Sequence, residues 1–115
     1  MSGWKLTVRH GSEVSREQFS ELGQAVAAAE RIAAEITAEG DLRDVSMVRD
    51  FTPHDQVHAR LEISREQLLR APTAGVDLRG DGTLVPFEGA VRRRELEPAS
   101  GQSAWDAVRA ALDGQ

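Results

Sequence analysis

A long run of apolar residues at helical spacing occupies the N-terminal part of the chain. Between positions 16 and 39, apolar side chains recur every three or four residues, and glutamates take the opposite side. The apolar positions are Phe19, Leu22, Val26, Ala29, Ile32, Ala33 and Ile36. Gly40 follows, at a position where helices commonly end. The pattern predicts one long helix over about 16–39, with a core-facing side and an acidic, solvent-facing side.

Segments that alternate between apolar and polar residues lie on both sides of this helix and predict strands. In the first of them, Trp4, Leu6 and Val8 point one way, while the polar residues between them point the other. The predicted strands cover residues 4–10, 45–51, 56–63 and 76–87, with 90–96 as a weaker candidate. The segment 76–87 contains two strands, because Gly-Asp-Gly at 80–82 is typical of a tight hairpin turn.

The C-terminal segment predicts a second, shorter helix that begins after Ser103, whose hydroxyl is a good N-cap. Trp105, Val108 and Leu112 share one face of this helix. At 115 residues the chain has the size of one globular domain, 1–115. We therefore predict an α+β fold, with an antiparallel or mixed sheet of about five strands and both helices packed on one face.

Two seven-residue segments, EVSREQF at 13–19 and EISREQL at 62–68, share five residues. In each, a Ser is followed three positions later by a Gln, which is the pattern of a helix capping box. Ser15 and Ser64 are therefore predicted to cap helices at two strand-to-helix junctions. The similarity ends outside the motif, so it favours a repeated local structure over a repeated domain.

The start of the long helix has an alternative. Gly23 would cost about 1 kcal/mol inside a helix, which disfavours a helix that extends far to its N-terminal side. In the alternative, Ser20 is the cap and residues 13–18 are extended.

The composition excludes several kinds of chemistry. The chain has no Cys, which rules out disulfides, thiolate metal sites and thiol nucleophiles. Its net charge of −5 disfavours non-specific binding of nucleic acid over the whole surface. Arginine supplies all the basic residues but Lys5, and with the many alanines this usage is typical of a GC-rich bacterial genome. The first ten residues form no apolar leader, so we expect a cytoplasmic protein with no membrane partner.

Three motifs suggest ligand or catalytic chemistry, and each has a simpler interpretation. His54 and His58 are four residues apart, which would bring two imidazoles together on a helix, but the alternation from position 57 predicts a strand. A twelve-residue segment from Asp77 has the length of a calcium loop, but Arg79 occupies a ligand position. No motif frames a catalytic Ser, His and Asp. We therefore predict no metal, no cofactor and no catalytic residues.

The strand residues that alternation directs away from the helices are mostly basic. The candidate anion-binding or partner-binding residues on this face are Arg9, Arg60, Arg79 and, if 90–96 is a strand, Arg92 and Arg94. Lys5 joins them, and Glu62 and Asp77 are the acids among them. The alternative is that ion pairs such as Arg60 with Asp77, or Arg79 with Glu62, neutralise the face. The arginines at 92–94 could equally protect a sheet edge from aggregation.

We expect a small non-catalytic interaction domain that binds a protein partner, or a second copy of itself, through the sheet face or an edge strand. Two alternatives stay open. One is nucleic-acid binding through the Arg-bearing face, since the order of elements is similar to that of double-stranded RNA-binding modules, apart from an extra leading strand. The other is a small enzyme or ligand-binding domain with a site near His54 and His58.

Overall fold

The computed structural model describes residues 3–39, 57–65, 72–89 and 92–113, and these form six strands and two helices. The strands are β1 (Trp4–His10), β2 (Glu13–Phe19), β3 (Val57–Arg65), β4 (Thr73–Arg79), β5 (Leu84–Glu88) and β6 (Arg94–Glu95). The helices are α1 (Leu22–Ala38), between β2 and β3, and α2 (Ala104–Asp113), after β6.

The strands form a single antiparallel sheet in the order β2-β1-β3-β4-β5-β6. Neighbours along the chain pair wherever a short turn joins them, as β1 with β2 and β4 with β5. The strand β3 pairs with β1, which puts the β1–β2 hairpin at one end of the sheet and leaves β2 as its outer strand. The sheet is therefore a set of hairpins arranged around a central β1–β3–β4 unit.

Both helices pack on the same face of the sheet, and the core lies between them and the strands. Along β1, β3 and β4 the inward side chains are almost completely buried, as at Leu6, Leu61 and Val76. On α1 the buried residues follow the predicted stripe, and on α2 they are Trp105, Ala107, Val108 and Leu112. The predicted α+β fold is confirmed, with six strands in the described part of the chain.

The predicted helix start at residue 16 is wrong, whereas the alternative with residues 13–18 extended is confirmed, although its cap at Ser20 is not. Residues 13–19 form β2, and α1 begins at Leu22, with Glu21 as an N-cap that makes no side-chain capping bond. The cause is the two-residue turn at Gly11 and Ser12, where Gly11 adopts a φ of 64°. This turn sends the chain back along β1, and the pairing satisfies backbone groups that a helix would otherwise satisfy.

The same correction applies to the shared motif. Ser15 lies in the middle of β2, and Ser64 lies within β3, which runs two residues beyond its predicted end. Neither serine therefore caps a helix at the start of its segment. The remainder of the second motif, the predicted strand 45–51 and His54 lie outside the described residues.

The C-terminal half of the described chain follows the sequence closely. The strands β4 and β5 pair around the Gly-Asp-Gly turn, as predicted. Ser103 caps α2, since its Oγ accepts a hydrogen bond from the Asp106 amide at 3.0 Å. Asp106 returns the interaction by accepting from the Ser103 amide at 3.1 Å, which completes a capping box. In the described part of the predicted strand 90–96, residues 92–96, the structure has the two-residue strand β6.

Candidate interaction surface

The sheet face opposite the helices, called here the open face, carries most of the predicted site residues. The pairing register places Arg9, Arg60 and Asp77 side by side across β1, β3 and β4. Arg79 lies two residues beyond Asp77 on the same face of β4. Three of the five predicted arginines therefore share one surface, although the register alone does not make that surface basic.

Arg60 is held by Asp77 in a two-point ion pair. Its Nε and one terminal nitrogen donate to the two carboxylate oxygens at 2.6 and 3.0 Å. Asp77 is only 6 % exposed, so the pair is largely screened from water. The hydrogen bonds from Arg60 to Asp77 raise the pKa of Arg60 above its ordinary value, and the charges of Asp77 and Glu62 add to the effect. These effects outweigh the burial of Arg60, which acts in the opposite direction.

Glu62 lies two residues after Arg60 on the same side of β3, and its carboxylate binds two further arginines. Arg9 approaches one carboxylate oxygen at 3.4 Å from β1, and Arg93 approaches the other at 3.4 Å from the segment before β6. The Arg9 side chain is 52 % exposed, whereas that of Glu62 is 13 % exposed. The Glu62 carboxylate therefore links β1 to the residue directly before β6 across the open face.

The remaining predicted arginines have different environments. Arg79 contacts Glu95 of β6 at 3.3 Å, rather than Glu62. Arg94 forms an ion pair with Glu88. Ala74 is in the core on the helix side of the sheet, Glu88 is opposite Ala74, and Arg94 is opposite Glu88. Because residues directly opposite each other share a side, Arg94 lies on the helix side and not on the open face. Arg92 is exposed, and none of the ion pairs found among the described residues involves it.

Phe87 is a central residue of the open face that the sequence did not indicate. It lies opposite Gly75 and is only 2 % exposed, although no helix covers this side of the sheet in the described ranges. The guanidinium groups of Arg60 and Arg93 cover it, with their carbons 5.6 and 5.7 Å from the ring centroid. Arg60, a predicted site residue, and Arg93, which lies between the predicted Arg92 and Arg94, therefore pack on an aromatic ring instead of facing solvent freely.

Gly75 makes this arrangement possible. A Cβ at this position would lie 2.1 Å from the Leu61 carbonyl oxygen and 2.9 Å from the Cα of Glu62. Both are backbone atoms of β3, so no side chain fits between the strands. The space above Gly75 is filled by Phe87 and its arginine cover, and the open face is a packed polar layer at this point.

A second exposed feature is the outer strand β2. Residues 13–18 are all exposed, and Val14 retains 44 % of its accessible surface. The strand is paired over its full length with β1, without a bulge or a proline. Its other edge is not paired with any strand in the described chain. This segment therefore presents seven consecutive residues of regular strand at the side of the sheet.

The register fixes which backbone groups of β2 point outward. Because Gly11 and Ser12 form a two-residue loop, His10 and Glu13 close the hairpin as a hydrogen-bonded pair. Hydrogen-bonded pairs alternate along an antiparallel ladder, so Ser15 and Glu17 also bond toward β1. The amide and carbonyl groups of the intervening residues point away from the sheet, and these residues are Val14, Arg16 and Gln18.

Two histidines meet near the β1–β2 turn. The Nε2 atoms of His10 and His58 are 3.2 Å apart, so a neutral ring can donate a hydrogen bond to the other. Within the described ranges, no group of three or more His, Cys, Asp or Glu side chains could hold a metal ion. The histidine pair therefore has an ordinary structural explanation as a cross-strand hydrogen bond.

An apolar groove of about 440 Å³ lies between the two helices and the β4–β5 turn. Its walls include Ala33, Ala34, Leu84 and Trp105, and Glu30 is the only ionisable residue among the described residues of its lining. A single carboxylate does not provide the converging polar groups of a catalytic pocket.

Comparisons with known proteins add no further assignment. No protein-family model, no curated protein and no solved structure matches this chain. Neither helix in the described part is long and apolar enough to span a lipid bilayer.

Proposed function

We propose that this protein is a small non-catalytic interaction domain that binds an extended segment of a partner protein along β2. The partner segment adds a strand to the sheet, and main-chain hydrogen bonds supply the common part of the affinity. The observation that carries the proposal is the outer edge of β2, which pairs with no strand in the described part of the chain and at which Val14 and Arg16 direct their amide and carbonyl groups away from β1.

Edges of this kind are usually protected in natural proteins. Short strands, bulges, prolines or a covering element prevent the edge from pairing with another chain. The opposite end of the sheet follows this rule, because β6 is only two residues long. In contrast, β2 has seven regular residues and no proline, so the β2 edge of the sheet is much longer than the β6 edge.

The open face supports this proposal less directly. Most of its guanidinium groups are engaged by Glu62, Asp77 and Glu95, and two of them also cover Phe87. An anionic ligand would have to displace these carboxylates, which are fixed on the same strands. We therefore assign the binding surface to β2 rather than to the arginine-bearing face.

The test uses a phage-displayed library of random heptapeptides, selected on the full chain. Selected peptides should shift the backbone amide resonances of Val14 and Arg16 more than those of Ser15 and Glu17. The variant Arg16→Pro removes one outward amide without removing a bond to β1, and proline is tolerated at such edge positions. We expect this variant to bind the peptides at least ten-fold more weakly.

The matched control is Arg16→Ala, which removes the same side chain and keeps the amide. It should retain more binding than Arg16→Pro, because only the proline variant loses a main-chain donor. Peptides that bind Arg16→Pro and the natural sequence equally well would refute the assignment of the site to β2. Circular dichroism and urea unfolding of both variants would verify that each is folded.

A further inference from the structure

The pair formed by His10 and His58 has a geometry that suits a metal ion as well as a hydrogen bond. We propose that the two Nε2 atoms of this pair bind one divalent late transition-metal ion, such as Zn²⁺ or Cu²⁺, between β1 and β3. The sequence suggested a different pair, His54 with His58, because those two are four residues apart. The inference is independent of the proposed function, since it does not involve the outer edge of β2.

A β-bulge brings the two rings together. Between Val57 and Ala59 the pairing advances two residues along β3 but only one along β4, so His58 is the extra residue of a bulge. His10 is opposite the buried Ala59 and therefore faces the helix side, whereas a regular β3 would direct His58 to the open face. The bulge instead brings His58 to within 3.2 Å of His10, and bulges that redirect a side chain are common beside functional sites.

The distances between the two rings fit two ligands of one ion. Zinc lies about 2.0–2.1 Å from an imidazole nitrogen, so two nitrogens of a tetrahedral site are about 3.3–3.4 Å apart. The observed distance of 3.2 Å is within the tolerance of a metal site and at the long end of the range for a hydrogen bond.

The inclination of the rings points the same way. Imidazoles that met head-on across this distance would have centroids about 5.5 Å apart, whereas two imidazoles on one tetrahedral ion have centroids about 5.2 Å apart. The observed centroid distance is 4.9 Å, so the rings do not meet head-on, and their interplanar angle of 59° excludes stacking. This bent arrangement favours a shared ion over a linear hydrogen bond.

The charges near His10 favour a cation. His10 lines a cavity of about 340 Å³, and the other ionisable residues in the described part of its lining are all carboxylates. These are Glu13, Glu35 and Glu39. Carboxylates around a cleft raise the local concentration of cations. The two arginines near His58, Arg9 and Arg60, are both held in the ion pairs described above.

The two nitrogens define the class of ion. Imidazole is a common ligand of Zn²⁺, Cu²⁺ and Ni²⁺, whereas Ca²⁺ and Mg²⁺ require oxygen ligands. Because no group of three His, Cys, Asp or Glu side chains in the described ranges forms a metal site, water completes the coordination. The inference uses only the two Nε2 atoms and leaves every other contact of His58 in place. A hydrogen bond at the second ring nitrogen commonly orients a metal-bound histidine.

The first test titrates the full chain with Zn²⁺ at about pH 7.5, where an ordinary imidazole is mostly neutral. Calorimetry should show one ion per chain, with Cu²⁺ bound more tightly than Ni²⁺. The ring resonances of His10 and His58 should shift with Zn²⁺, those of His54 should not, and Mg²⁺ should shift none of them. Co²⁺ is the optical probe, because its visible absorption bands change when imidazole nitrogens coordinate it.

The second test uses His10→Gln and His58→Gln, which each remove one ligand and keep a side chain that can form hydrogen bonds. Each should weaken Zn²⁺ binding at least ten-fold, and Zn²⁺ should raise the Tm of the natural sequence more than that of either variant. The matched control is His54→Gln, which lowers the histidine count equally and should bind Zn²⁺ as the natural sequence does. Circular dichroism verifies that the three variants are folded.

Each result decides for or against the site. If His10→Gln or His58→Gln binds Zn²⁺ as tightly as the natural sequence, or if His54→Gln is weakened as much as they are, the two-histidine site is overturned. If the natural sequence binds neither Zn²⁺ nor Co²⁺ at up to about 1 mM, the pair is only a hydrogen bond and the inference is overturned as well. The ring resonances of the natural protein decide the matter even where a variant does not fold.

Discussion

Replacement of Asp77 by Ala should destabilise the domain more than any other single removal of a charge on the open face. Asp77 is 6 % exposed and accepts two hydrogen bonds from Arg60. Its removal leaves a guanidinium group partly buried with two donors unpaired. Hydrogen bonds to charged groups contribute about 1.5–3 kcal/mol, and breaking a buried ion pair costs about 3–5 kcal/mol. Because a quarter of the Arg60 side chain remains exposed, we expect about 3 kcal/mol.

The contribution of the pair itself follows from a double-mutant cycle. Arg60→Ala also uncovers Phe87, whose ring centroid lies 5.6 Å from the guanidinium carbon, so its cost includes lost packing. Subtracting both single effects from that of Asp77→Ala with Arg60→Ala removes this packing contribution. We expect a coupling free energy of about 2 kcal/mol, between the values typical of exposed and buried pairs. Urea unfolding followed by circular dichroism provides all four free energies.

The matched control is the cycle of Arg9 with Glu62, an ion pair on the same face that joins β1 to β3, whereas Arg60 and Asp77 join β3 to β4. Its single contact is 3.4 Å long and the Arg9 side chain is 52 % exposed, so its coupling should not exceed about 0.5 kcal/mol. A coupling for Arg60 and Asp77 that is no larger than this control would refute the claim that the open face is a packed polar layer.

The pH dependence of the coupling has a definite sign on the alkaline side. The pKa of Arg60 is raised in the folded chain, so its contribution is fully present below the unfolded pKa and is lost only as the pH rises through the folded one. Both values lie far above neutrality. The coupling should therefore stay constant between about pH 7 and pH 9, and a loss within this interval would contradict the assignment.

Two further predictions concern glycine and helix caps. Gly75→Ala should destabilise the domain by about 3 kcal/mol, since its Cβ would overlap the backbone of β3, whereas Gly23→Ala meets only a flexible side chain at 3.8 Å and should stabilise α1 by about 0.5 kcal/mol. Thermal unfolding distinguishes these opposite signs, and equal effects would contradict the account of the β3–β4 contact. Ser103→Ala should cost about 1 kcal/mol through loss of the α2 cap, while Ser20→Ala, whose hydroxyl reaches only the exposed Gln24 side chain, should cost almost nothing. Chemical denaturation measures both, and equal costs would show that Ser103 does not act as a cap.

The parts of the fold that bury a face could be predicted from the sequence directly, whereas the outer strand was predicted only in the alternative that Gly23 favoured, with residues 13–18 extended. Alternation identified β1 and β3 because one side of each packs against the helices. In β2, the side chains of residues 13–18 are exposed on both sides of the strand. Because neither side is buried, apolar and polar residues do not have to alternate along this strand. The capping pattern at Ser15 then suggested a helix, although the same polar residues are equally acceptable on a solvated strand. The usable signal was Gly11, which permits the two-residue turn.

The arginine-bearing face shows a second limit of sequence patterns. Alternation determines which residues of one strand share a side, but it does not fix how the pattern continues across a turn. Gly89, with a φ of 97°, follows β5, and the pairing of β5 with β6 places Glu95 opposite Phe87 and Arg94 opposite Glu88. Arg93 therefore reaches Glu62 on the open face, and Arg94 pairs with Glu88 on the other side, where the sequence had suggested Arg92 and Arg94 together.

This change of phase also alters the charge of the open face. It brings Glu95 to the same side as Arg79, so β3, β4 and β6 each contribute acids or arginines to the ion pairs of this face, while β5 contributes Phe87. Lys5, Arg9, Arg60, Arg79 and Arg93 still outnumber Glu62, Asp77 and Glu95 on this face, but these carboxylates engage four of its arginines. Binding through such a face would require breaking contacts that hold its strands and Phe87 together. Binding along β2 requires no such rearrangement of the described residues, because the backbone groups of Val14 and Arg16 point away from β1, and this difference is why we propose the site there.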